Sequence, residues 1–134
     1  MKLFQKYVYT WAPPILLMIC IFILSSRQSV EVSETYVLNF IFFKMLHVME
    51  YALLFSLLLR AVYLNNKTRK MQLSLFIIAF VLTVLYACSD EIHQLFVPTR
   101  QGTVRDVFID SLGALGMWFI ITHWFGRIKR IIFI

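Results

Sequence analysis

Lys44, His47, Glu50 and Tyr51 set an ammonium, an imidazole, a carboxylate and a phenol within eight residues. On a helix that spacing puts Lys44, His47 and Tyr51 along one stripe, with Glu50 near its edge. A second group, Asp90, Glu91, His93 and Gln94, places two carboxylates beside a histidine; Asp90 shares a helical face with His93 and Gln94, and Glu91 with Gln94. A third group brings Arg100 and Arg105 to the carboxylates of Asp106 and Asp110, which stand four residues apart. Two chemistries suit these types. His47, Glu50, Asp90, Glu91, His93 and Asp106 can move protons as general acids and bases, or several of them can hold a divalent ion. Lys44, Arg100 and Arg105 can grip a phosphate, arginine through two parallel hydrogen bonds, with Tyr51, Gln94 and Asp110 as further polar contacts. Each group also has a plainer explanation: residues in the headgroup layer, a solvated helix end, or a salt-bridge network that keeps helices in register. Their delivery by three separate segments to one membrane depth favours a site. No HExxH, P-loop, GxSxG or dinucleotide fingerprint is present, and the residues assign no metal and name no cofactor.

The elements that must position these groups are membrane helices. The 134 residues suffice for one domain, and 60% are hydrophobic while 15% are charged, whereas soluble domains carry about a quarter charged residues. Four stretches can cross about 30 Å of hydrocarbon: residues 7–24, 36–64, 71–88 and 107–125, with a polar segment at 89–106. The expectation is an all-α polytopic protein, a four-helix transmembrane bundle forming a single domain over residues 1–134. Pro13 and Pro14 are expected in the opening turns of the first span, where missing backbone donors cost least, and Ser25, Ser26 and Arg27 end it. The first span reads as retained rather than cleaved as a signal. The second is long for a simple crossing, so it tilts or begins in the interface. A charge at mid-span costs about 2.5–3.5 kcal/mol, so the Lys44 stripe must face the bundle, a wet cleft or the interface.

Charge sets the expected orientation. Lys2, Lys6, Arg60, Lys67, Arg69, Lys70, Arg127, Lys129 and Arg130 fall on one side, nine of the thirteen basic residues. By the positive-inside rule that side is cytoplasmic, as are both termini. The seven acidic residues, Glu31, Glu34, Glu50, Asp90, Glu91, Asp106 and Asp110, lie in the outer loops or outward helix halves. The net charge of +6 thus points to anionic lipid, not nucleic acid. Cys20 and Cys88 read as small buried hydrophobes rather than a disulfide. Gly113 and Gly116 are expected to admit close helix packing, and Trp118 is a lipid-facing or core residue.

KMLHVMEY from Lys44 to Tyr51, DEIHQLFVPTRQG from Asp90 to Gly102 and DVFIDSLGALG from Asp106 to Gly116 together resemble the VanZ-like family of small bacterial membrane proteins. The resemblance spans about two thirds of the chain, from Lys44 to Gly116. It implies envelope biology at the outer face of the cytoplasmic membrane, associated with resistance to teicoplanin and related antibiotics, and it supplies no mechanism. The leading expectation is an outward polar cleft that binds or modifies an envelope lipid or lipid-linked glycan, such as a cell-wall precursor or a phospholipid head group. The alternatives are a structural ion-pair network in a protein that packs against a partner membrane protein, and, less favoured, a proton or ion transporter.

Overall fold

The computed structural model describes residues 3–27, 36–68, 70–98 and 100–132. Within them lie four helices and no strand: α1 Leu3–Ser25, α2 Tyr36–Asn65, α3 Leu73–Gln94 and α4 Val104–Ile132. Lys2, Glu31, Glu34 and Arg69 lie outside the described residues, as do the side chains of Arg127, Lys129 and Arg130.

Helices form because hydrocarbon offers backbone N–H and C=O groups no partners, and a helix satisfies them within one segment. Three helices, α1, α2 and α3, are long and apolar enough to cross a membrane, so this is a multi-pass membrane protein. Among the described residues the fourth helix, α4, does not meet that measure. Its head carries Asp106 and Asp110 and its tail Arg127, Lys129 and Arg130, which interrupt an otherwise apolar length. Large apolar side chains cover the outside of all four, among them Phe4, Met45, Leu85 and Phe119. Hydroxyls within the helices turn back on their own backbone, as Thr83 does to Ala79 O at 2.8 Å and Ser111 to Val107 O at 2.7 Å.

Two expectations about α1 change. The helix begins at Leu3, so Pro13 and Pro14 fall near its middle rather than in its opening turns. The carbonyls of Tyr9 and Thr10 thereby lose their usual donors. Cys20 is exposed and Cys88 partly buried, both as free thiols. The helix α3 continues to Gln94, past the expected end at residue 88, so Asp90, Glu91 and Gln94 sit on its last turns and are buried. Near its far end α4 kinks at Trp124, where φ is −114° and ψ 20°.

The central helix is α2. It packs on α1, α3 and above all α4, while α1 touches α3 only lightly. Tyr51, Leu54, Phe55, Leu58 and Leu59 of α2 form the core with Phe76 and Ala79 of α3 and Ala114 and Ile121 of α4. Trp118 is partly buried and packs against this core, its ring stacked 5.4 Å from that of Phe76 and 6.2 Å from that of Phe55. Gly113 makes the α2–α4 approach possible, since a Cβ there would strike the Val48 carbonyl. Gly116 does not share this role, because nothing lies within 4 Å of where its Cβ would be.

The two ends of the bundle differ in chemistry. At one, the Arg60 guanidinium lies 4.6 Å from the centre of the Tyr9 ring, joining the end of α2 to the start of α1. The same end carries the Asn65–Lys70 connection. At the other end, the close of α1 and α3 meets the beginning of α2 and α4.

Candidate functional site

The connection from α3 to α4 builds the first part of the site. A Cβ on Gly102 would strike the Glu91 carbonyl, so only glycine lets the chain run that close to α3. The Thr103 N–H then donates to Glu91 Oε2 at 2.8 Å. Thr103 also opens α4, its hydroxyl accepting from the Asp106 N–H at 3.2 Å, which satisfies one of the donors a helix start leaves bare. Asp106 is held at the head of α4 by that local geometry.

Across from it, α2 presents its stripe. Lys44 Nζ lies 2.6 Å from Asp106 Oδ2. One turn further, His47 Nδ1 lies 3.7 Å from Asp110 Oδ1. Tyr51, one turn deeper, is fully buried, its ring 6.4 Å from the His47 ring. Asp106 stands ahead of the apolar stretch of α4. Burial pushes its carboxyl up, but the hydrogen bond and charge of Lys44, with Thr103 and Arg105, outweigh burial and hold it below the usual carboxylate range. Two buried polar atoms have no hydrogen-bond partner among the described residues, the Tyr51 hydroxyl and Asp110 Oδ2.

The helix α3 adds a second tie, to α1. Asp90 is 2% exposed; it accepts from the Ser25 hydroxyl at 2.6 Å and from Gln94 Nε2 at 3.0 Å. His93 Nε2 lies 2.9 Å from the Ser26 hydroxyl, and its ring stacks on Phe22 at 4.2 Å. Further along α1, the Tyr86 hydroxyl donates to the Met18 carbonyl at 2.5 Å.

Beside this closed network is an open one. A cavity of about 180 Å³ lies between α1, α2 and the α3–α4 connection, lined by Ile21, Leu24, Ser25, Arg27, Phe43, Leu46, His47, Glu50 and Arg100. Arg100 Nε donates to the Arg27 carbonyl at 3.0 Å, which fixes the guanidinium at the rim. Its lining combines apolar side chains with charges of both signs.

The twelve residues marked by the sequence therefore divide. His47, Glu50 and Arg100 line the cavity. Lys44, Asp90, Glu91, Asp106 and Asp110 are taken up in contacts between elements, Gln94 bonds Asp90 within α3, and Tyr51 lies buried beside His47. His93 faces the end of α1. The Arg105 side chain is 65% exposed and reaches Asp106 from outside, 3.5 Å away. Of the three cations expected to grip a phosphate, Lys44 and Arg105 lie against Asp106, and Arg100 alone lines the cavity. Arg27, Ser25 and Ser26 belong to the site but were legible only as the polar end of the first span. Among the described residues no group of three or more His, Cys, Asp or Glu is placed to hold a metal ion.

Compared with known families, residues 10–126 match the sequence pattern described as VanZ/LLP1. Comparison with curated proteins finds no match, and comparison with solved structures finds none.

Proposed function

The chain belongs to the VanZ/LLP1 family, and from that membership we propose that its polar cleft binds or modifies the head group of an envelope lipid or lipid-linked glycan. The cleft faces the extracytoplasmic side, and its role is tied to tolerance of glycopeptide and lipoglycopeptide antibiotics such as teicoplanin. One observation carries this reading: a cavity at the polar end of the bundle is lined both by the apolar side chains Ile21, Leu24, Phe43 and Leu46 and by the polar or charged groups Arg27, Arg100, His47 and Glu50. A site of that make-up suits a molecule that is itself half apolar and half charged. Arg27 and Arg100 meet the phosphate. His47, backed by the Asp110 carboxylate, is the group placed to accept a proton where chemistry follows.

The test compares lipids that copurify with the wild type and with Arg100→Ala or Arg27→Ala. Both variants are expected to reach wild-type abundance, lose the copurifying lipid and lose antibiotic tolerance. Unchanged lipid and unchanged tolerance in both would remove the proposal.

A second reading rests on the Lys44–Asp106 pair at 2.6 Å and the Ser25–Asp90–Gln94 bonds. These contacts tie α2 to α4 and α1 to α3, the Thr103–Glu91 bond links the two ties, and together they act as a structural clamp in a protein whose function is to pack against a partner membrane protein. On that reading the Arg100 and Arg27 variants keep tolerance, and changes at Asp90 or Asp106 reduce abundance.

A further inference from the structure

The cleft carries charges of both signs, and their combination selects a class of ligand. At the rim, Arg27 and Arg100 are joined through the Arg100 Nε to Arg27 carbonyl bond at 3.0 Å. The Glu50 carboxylate of α2 lines the same cavity, with His47 one turn before it. Besides the two arginines, the charge that acts on Glu50 is a second carboxylate, that of Asp90. Asp90 is buried and held by the neutral donors Ser25 and Gln94. A cation entering beside Glu50 relieves the repulsion among these groups, and a second anion adds to it. A ligand that satisfies both regions carries a negative charge at the arginine rim and a positive charge one short link away.

Size narrows the choice. At about 180 Å³ the cavity is smaller than the roughly 300–1,000 Å³ that encloses a drug-sized molecule. It has room for a phosphate and a short amino alcohol, and too little for a sugar with a peptide. The apolar lining residues Ile21, Leu24, Phe43 and Leu46 suit the start of acyl chains that continue along the lipid-facing surface.

Building on the head-group reading above, we infer that the cleft is selective for an amine-bearing phospholipid of the phosphatidylethanolamine type. Arg27 and Arg100 hold its phosphate, and Glu50 accepts hydrogen bonds from its ammonium. The ammonium is a compact donor of three hydrogen bonds, so successive methylation removes what Glu50 recognises while keeping the charge.

The experiment is native mass spectrometry of the full-length protein in detergent, titrated separately with phosphatidylethanolamine, its N,N-dimethyl derivative, phosphatidylcholine, phosphatidylglycerol and a polyprenyl phosphate. Phosphatidylethanolamine is expected to bind about tenfold more tightly than phosphatidylglycerol, the worth of one charge-assisted hydrogen bond. Affinity should fall with each methylation. Glu50→Gln should bring phosphatidylethanolamine to the level of phosphatidylglycerol, and Arg100→Ala should weaken both. Equal or tighter binding of phosphatidylglycerol or the polyprenyl phosphate by the wild type overturns the amine selectivity and leaves head-group binding in place. Absence of saturable binding by any of the five overturns both. Should Glu50→Gln fail to fold, the methylation series on the wild type decides alone.

Discussion

At the level of single residues, the Lys44–Asp106 pair shows how position settles what a charge does. The Lys44 side chain keeps 23% exposure and Asp106 8%, so removing one partner strands the other in a site with little water. Lys44→Met is expected to cost about 3 kcal/mol, near the lower end for a buried pair, read as thermal unfolding of the detergent-purified protein. The double change Lys44→Met with Asp106→Leu should recover most of that loss, because an apolar pair of similar volume strands no charge. The pH dependence follows from the same contact. Because Lys44, Thr103 and Arg105 hold the Asp106 pKa below that of the unfolded chain, the stabilisation is complete above the unfolded value of about 4 and is lost as pH falls through the folded value. Melting temperature should therefore drop with acidification below pH 4, and Asp106→Asn should flatten that part of the profile. A profile that is the same in wild type and variant would contradict the assignment.

For the helices, what matters is how closely they approach. Gly113 and Gly116 have the same sequence signature, small residues three apart on an apolar helix, yet only Gly113 lies under a neighbour's backbone. Gly113→Ala should push α4 from α2 at Val48 and destabilise by about 1–3 kcal/mol. Gly116→Ala should be neutral or stabilise by up to about 1 kcal/mol, since alanine favours helix and meets nothing there. Thermal denaturation of the two variants side by side separates them, and equal destabilisation would count against the packing described. Displacement at Val48 also moves His47 on the neighbouring position, so lipid retention should fall in the Gly113 variant and persist in the Gly116 variant.

Across the whole molecule the two ends of the bundle are chemically distinct, and orientation makes a direct prediction. In a Cys20→Ala, Cys88→Ala background, Gln101→Cys at the polar end should react with an impermeant maleimide in intact cells. Lys67→Cys at the basic end should react only after permeabilisation; the reverse pattern would place the cleft in the cytoplasm. The helical class, the membrane setting and the family were legible in the chain, because apolar runs of span length and the motifs from Lys44 to Gly116 are local properties of sequence. So was the need of Lys44, His47, Asp90, Asp106 and Asp110 to avoid lipid, since the cost of a charge in hydrocarbon depends on its type and depth alone. Partner choice was not legible. Which carboxylate Lys44 meets, that Ser25 closes on Asp90 across 65 residues, that Gly116 packs on nothing, and that Arg27 shares a rim with Arg100 all depend on how four helices are rotated against one another. Rotation is set by the summed packing of many side chains, so no local stretch encodes it, and the division between a closed ionic clamp and an open cleft exists only once the bundle has formed.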